Sequence, residues 1–430
     1  MNKANNKTTW RTNHRASFLV VVLFFIAFIN YVDRQSLSVL ATRFQDELHM
    51  NDLEYARIVG LFLLAYAIAH VIVGFIADGL GTRRTMALFV CVWSLAEAAT
   101  AFATNTLSLS IARFCLGIGE PGFWVTAPKA VAEAFEVRFR ALAIGIYCVG
   151  SSAGAVIALP AIVLITHHLP WRCVFLIDGA VGLFLTALWL WGFRSRQDAE
   201  VSSTRETQPK SGRPAMAAAL SNLRVELTHS RTWKLVVARG LTDPVWYFYL
   251  FWFPKYLMTA HHLTLEGVAH FAWFVYFLAG IGAVTSGLFA SLLIHRGQPA
   301  RIAYRWTMLA AALVLPLSFL TAVTSSTTIA ILVASLIAFA HMNWMVTLAA
   351  LVVELYPATR VGTVAGLMGT GSALGGMMFS GIMGFVVVRY GYTPLISIIG
   401  FFHPLMLVLL WRLFEERVPV VVRDPVQLTT

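Results

Sequence analysis

Two short runs of this 430-residue sequence place charged side chains inside otherwise apolar stretches. The first is Asn30-Tyr31-Val32-Asp33-Arg34, and the second runs from Arg113 through Gly117, Gly119 and Glu120 to Pro121 and Gly122. Arginine stays charged and offers a planar fork that matches a carboxylate. A carboxylate in a partly dry cavity can exchange a proton, and how tightly it holds that proton depends on whether a nearby arginine is free or occupied. Asp33, Arg34, Arg113 and Glu120 could together bind an anion and exchange a proton. On a helix, Tyr31 and Arg34 share a face while Asp33 points about 100° away from Arg34. Arg113 and Glu120 lie on one face, two turns apart. Gly117 and Gly119 thin their helix and Pro121 loosens its hydrogen-bond ladder, which suits a cavity lining. The alternative is that the four charges only pair with one another. Buried ion pairs seldom improve on apolar packing, so a further use is favoured.

The elements that must position these residues follow from composition. The chain is 58% hydrophobic and 12% charged, with a mean hydropathy of +0.72. Soluble domains run near about 25% charged, so most of this chain cannot face water. A spanning helix needs about 20 apolar residues. Twelve such stretches are legible, at 17–38, 57–77, 85–105, 107–130, 141–165, 172–193, 235–258, 268–294, 303–324, 327–353, 360–388 and 393–413. Continuous apolar runs exclude a β-barrel, whose strands would alternate. Placing both termini in the cytoplasm leaves the outer loops only Arg43, Arg57, Arg172, Lys255 and Arg389. That asymmetry is the positive-inside pattern, and it accounts for the net charge of +11 without a nucleic-acid partner. The first apolar segment carries Asp33 and Arg34 and lacks a small-residue cleavage site, so it reads as a retained helix. Cys91, Cys115, Cys148 and Cys173 are scattered, and the histidines show no ligand spacing, so no disulfide framework or metal site is indicated. No nucleophile–base set or phosphate loop supports an enzyme.

The long polar stretch 194–234 divides the spans into six and six. The expected organisation is an all-α membrane protein of twelve transmembrane helices in two six-helix bundles, 1–193 and 235–430, joined by a linker at 194–234. The loop after the second span reads Gly74-Phe-Ile-Ala-Asp78-Gly-Leu-Gly81-Thr-Arg83-Arg84, and its second-half counterpart, from Gly287 to Arg296-Gly297, keeps glycine and cation but loses the acid. Gly74 and Gly81 permit close helix approach and a tight turn, and Asp78 can pair with cations and helix N-termini as a conformational latch. Arg83 and Arg84 help hold the topology. This loop resembles the signature of the major facilitator superfamily, which implies the twelve-helix fold.

Further residues carry a closer resemblance. Asn30-Tyr31-x-Asp33-Arg34 and Arg113-x-x-x-Gly117-x-x-Glu120-Pro121 are similar to the anion:cation symporter branch, which includes the hexuronate and galactonate transporters. Lys129 to Glu133, Trp171-Arg172-x-x-Phe175-x-x-x-Gly179, Thr242-Asp243-Pro244 to Tyr256, and Val361-Gly362 to Gly366 extend the match through both halves. The fifth span departs from it, reading Tyr147-Cys148-Val149-Gly150-Ser151-Ser152 where the branch often has an asparagine. The resemblance implies that Arg34 and Arg113 bind a substrate carboxylate, that Tyr31 bonds its hydroxyls, and that Asp33 and Glu120 carry protons. An anion that occupies the arginine leaves the neighbouring carboxylate readier to take a proton, which is the reciprocal coupling symport needs.

In the second half, Tyr247, Tyr249 and Trp252 on the seventh span and Asn343, Trp344 and Thr347 on the tenth are the expected substrate contacts. Aromatic faces suit sugar C–H surfaces and polar groups suit hydroxyls. Arg239 and Asp243, four apart, could simply pair; the roles of Glu97 and Lys129 are open. The glycines from Gly362 to Gly376 read as a helix-packing surface. The expected function is proton-coupled import of a small sugar-acid anion by a bacterial inner-membrane protein, monomeric, with protons as coupling ion and no cofactor or metal. Moving a monoanion into a negative cell costs about 2.3 kcal/mol per 100 mV, which one proton cancels. Anion exchange or uniport on the same fold is the competing expectation.

Overall fold

Inside a bilayer no water bonds to exposed backbone, so each apolar run must close its own hydrogen bonds as a helix. The structure is a computed structural model that describes residues 14–193 and 215–415. The first part of the expected linker, 194–214, and both chain ends lie outside the described residues. Helices α1 (His14–Val39), α3 (Asp52–Leu80), α4 (Thr82–Thr100), α5 with α6 (Thr106–Gly119 and Pro121–Ala134), α7 (Val137–His168) and α8 (Arg172–Gly192) form the first six spans. A short α2 (Ala41–Glu47) joins the first two spans, and α9 (Ala215–Thr228) lies in the expected linker. The second six are α10 with α11 (Ser230–Tyr247 and Phe253–Ala260), α12 (Leu265–His295), α13 with α14 (Ala300–Val314 and Ser318–Val323), α15 (Thr327–Leu355), α16 (Ala358–Tyr390), and α17 with α18 (Thr393–Ile399 and Phe402–Leu410).

Among the described residues, nine helices are long and apolar enough to cross a membrane by length and composition alone. The other three spans carry internal charge or are broken. Helix α4 bears Arg83, Arg84 and Glu97, the α5–α6 rod breaks at Glu120–Pro121, and α10–α11 contains a π-helical turn at Phe248–Trp252. These irregular rods build the site.

Sequence sets the ends of the rods. Asn51 and Glu54 cap α3 reciprocally, each side chain accepting the other's backbone N–H at 3.0 Å. Gly81, at φ +86°, makes the turn between α3 and α4, and Gly297, at φ +87°, makes the equivalent turn in the second half. The degraded repeat read from the sequence thus keeps its backbone function where it lost its acid.

Two seams join the halves: α7 against α12, and α3 against α16. Backbones touch along both. A Cβ on Gly145 would sit 2.3 Å from the Ala283 carbonyl oxygen, and one on Gly74 would sit 2.8 Å from that of Gly362. Gly145→Val is therefore expected to force α7 and α12 apart, at a cost of about 1–3 kcal/mol. A thermal melt in detergent checks this; an unchanged midpoint with full transport would contradict the packing.

Candidate functional site

A central cavity lies between the halves. Its wall includes Tyr31 and Arg34 of α1, Tyr66 and His70 of α3, and Arg239, Asp243, Trp246 and Tyr247 of α10. The Arg34 Nε donates to Glu120 Oε2 at 2.7 Å, and its Nη2 lies 2.6 Å from the same oxygen. Glu120 stands at the joint of α5 and α6, where Pro121 offers no backbone N–H and the helix restarts. Arg34 also faces the Tyr66 ring, with its guanidinium carbon 4.8 Å from the centroid. Its side chain keeps 20% exposure while that of Glu120 has none. The cation is presented to the cavity and its partner stands behind it.

The other half of the expected quartet lies elsewhere. Asp33, on a different face of α1 from Arg34, accepts a hydrogen bond from Trp93 Nε1. It belongs to a buried set in which one oxygen each of Asp33, Glu97 and Asp178 lies within 4.8 Å of the others. Arg113 joins that set, its Nη1 3.3 Å from Glu97, and Ser36 donates to Asp178 at 3.2 Å. Close approach of α4 makes this possible, since a Cβ on Gly119 would meet the Trp93 backbone nitrogen at 2.5 Å. Arg113 is 1% exposed and does not line the cavity, which corrects the expectation that it meets the substrate directly. Three carboxylates share one arginine away from water. Full ionisation would leave two uncompensated negative charges, so such a set must share protons.

In the second half, Tyr247 lines the cavity as expected, its hydroxyl 3.4 Å from Ser372 of α16. Tyr249, Trp252, Asn343, Trp344 and Thr347 do not line it. Tyr249 is two residues past Tyr247, about 200° around the helix, and packs on Phe253 at 5.4 Å between ring centroids. The π turn then re-aims Trp252, whose ring lies 5.7 Å from the Lys255 ammonium. Thr347 meets Ser286 of α12 at 3.2 Å and donates to the Asn343 carbonyl at 2.8 Å. Thr347 therefore serves helix packing, while the Asn343 Oδ1 is buried without a hydrogen-bond partner among the described residues. Trp344 is fully buried against the His403 ring, 5.1 Å away. The cavity face of α15 is instead His341, Met342 and Met345.

Trp246, passed over beside its tyrosine neighbours, donates to Tyr31 across the halves at 3.3 Å and stacks on His341 at 5.8 Å between centroids. Arg239 pairs with Asp243 at 2.7 Å, and the pair faces the cavity. Asp178 carried a readable signal, since an acid in the middle of an apolar run is a functional suspect by default.

Asp78, expected to act as a latch, sits in a set of contacts across the halves. Asp78 accepts from Lys129 at 2.9 Å, from the Gly362 and Thr363 backbone N–H groups at 3.1 and 2.7 Å, and from the Thr363 hydroxyl at 2.7 Å. Lys129 also donates to the Ala358 carbonyl, and Glu133 takes the Thr82 hydroxyl at 2.7 Å. Arg83 donates to the Leu190 carbonyl, and Arg84 is exposed. At this same end Ser291 donates to the Arg138 carbonyl at 2.6 Å, so the halves also touch there. Asp78→Asn is expected to weaken these contacts between the halves, slowing uptake roughly tenfold while substrate affinity moves far less. Parallel uptake and binding measurements check it, and equal losses in both would count against a latch.

Comparison with known proteins agrees with this geometry. The sequence is 24% identical over 396 residues to a hexuronate transporter of Escherichia coli strain K12, covering 90% of this chain and 91% of that one. It is 26% identical over 395 residues to a D-galactonate transporter of Escherichia coli O6:H1, covering 88% and 91%. Among solved structures, the proton:xylose symporter XylE superposes with a TM-score of 0.68 at 14% identity, covering 93% of this chain and 96% of that one. The profile of the Major Facilitator Superfamily matches residues 23–380. With its twelve spans and central charged cavity, this chain belongs to the major facilitator superfamily and is a multi-pass membrane transporter, not an enzyme.

Proposed function

We propose that this transporter imports a small sugar-acid anion together with protons, by alternating access, across a bacterial inner membrane with both termini in the cytoplasm. The observation that carries the reading is Arg34 on the cavity wall, paired with Glu120 behind it. A carboxylate substrate that takes the Arg34 fork displaces Glu120, which then favours a proton. Substrate and proton thus strengthen each other's binding. Asp33, with Glu97, Asp178 and Arg113, forms the second proton-holding set, and Arg113 acts there by positioning Glu97. Tyr31, Tyr247 and Trp246 serve the hydroxyls and the sugar faces. The names of the relatives support a sugar acid as the cargo. Protons are the coupling ion, with no cofactor or metal, and the protein acts as a monomer.

The test is counterflow and gradient-driven uptake in proteoliposomes with labelled galacturonate, glucuronate and galactonate. Symport expects accumulation that collapses when the pH gradient is dissipated and that is indifferent to exchanging sodium for potassium. Equal uptake with and without the gradient would support exchange or uniport instead. Dependence on sodium would assign the three-carboxylate cluster to a metal cation.

A further inference from the structure

We propose that the cavity holds two anion subsites, one on each half, and that its preferred cargo is a sugar diacid, an aldarate with a carboxylate at each end. The proposal rests on the reading above that the cavity takes sugar-acid anions. Two arginines line the cavity, Arg34 from α1 and Arg239 from α10. Each is tethered to one carboxylate of its own half, Arg34 to Glu120 at 2.6 Å and Arg239 to Asp243 at 2.7 Å. The two pairs are buried in the same lopsided way. The arginine side chains keep 20% and 23% exposure, while their acids keep 0% and 7%. In both halves the guanidinium faces the open space; Glu120 is held behind its arginine, while Asp243 reaches the cavity wall beside Arg239.

A monoacid has one carboxylate and fills one fork. Its other end offers hydroxyls, for which a neutral amide or hydroxyl costs less to desolvate than a guanidinium. A second arginine on the wall of the same cavity, from the other half, is better explained by a second anionic group. The alternative is that Arg239 and Asp243 only clamp α10 to α16, because Asp243 also accepts from Ser372. A clamp gains nothing from leaving its cation on the cavity wall, and the other buried intramembrane cations, Arg113 and Lys129, are almost wholly withdrawn from solvent and do not line the cavity. A diacid bridging Arg34 and Arg239 would also tie the two halves together, as occlusion requires.

Two exchange reactions in proteoliposomes at neutral pH test this, one with labelled glucarate and one with labelled galacturonate. Each is competed by galactarate, glucarate, galacturonate and galactonate. The expected result is half-inhibition by the diacids at roughly tenfold lower concentration than by the monoacids. Arg239→Gln should lower that diacid-to-monoacid ratio about tenfold, and Arg239→Lys should restore part of it by returning the charge. The ratio is measured within one variant, so a reduced amount of folded protein does not alter it. Monoacids competing as well as diacids in the native protein, or an Arg239→Gln change that shifts both classes alike, would overturn the second subsite and leave sugar-acid transport standing. Failure of every sugar acid to exchange would remove both readings.

Discussion

Replacing Arg34 by glutamine is expected to lower substrate affinity more than a hundredfold and to abolish measurable uptake. The arginine supplies the fork that the carboxylate must occupy, and its removal strands Glu120, which is fully buried. Breaking a buried pair by removing one partner costs about 3–5 kcal/mol, beyond the loss of the ligand contact itself. Arg34→Lys keeps the charge but not the planar fork, so it should fall between the two. Binding of galacturonate measured by calorimetry on purified protein separates this from a transport defect. A near-normal affinity in Arg34→Gln would remove the arginine from the site.

Replacing Asp33 by asparagine should give a different phenotype: gradient-driven accumulation lost, substrate exchange retained within a few-fold. Asp33 does not line the cavity, so the substrate does not feel it directly. It shares the buried space with Glu97 and Asp178, where one arginine must serve three acids. Removing one of these negative charges changes how many protons the set can hold and release as the halves rock. Once the pH gradient no longer drives the cycle, the concentration ratio should approach unity. Full accumulation in Asp33→Asn would show that protons travel by another route. Loss of exchange together with accumulation would show that Asp33 supports the cavity itself.

Much of the fold was legible because apolar runs of spanning length can only be helices in a bilayer. The runs expected at 327–353 and 360–388 became Thr327–Leu355 and Ala358–Tyr390. The Gly74–Asp78–Gly81 loop was equally readable, since its residue types describe a turn and a latch wherever they occur. The site was only half legible. Adjacent charges at Asp33 and Arg34 were correctly placed on different faces, but sequence cannot show which helix each face meets. Asp33 therefore found Trp93, Glu97 and Asp178, while Arg34 found Glu120. Glu97 was noticed without a role because its partner Arg113 is on another helix and had been given to the substrate. Thr347 stays off the cavity for a different reason. A mid-span polar group does need a partner, but Ser286 on a neighbouring helix satisfies Thr347 as well as a ligand would. On α10 the 100° rotation per residue was enough to separate Tyr247 and Trp246 from Tyr249, whereas the π turn that moves Trp252 left no mark in the pattern.

The coupling of anion to proton can be watched without any imposed gradient. Proteoliposomes loaded with a pH-sensitive dye and bathed in galacturonate and, separately, glucarate at equal pH on both sides should acidify inside as the anion enters. The acidification should be absent with a neutral sugar. Anion entry with no change in internal pH would contradict the proposed exchange of Glu120 for substrate on Arg34, and with it the proton-driven mechanism.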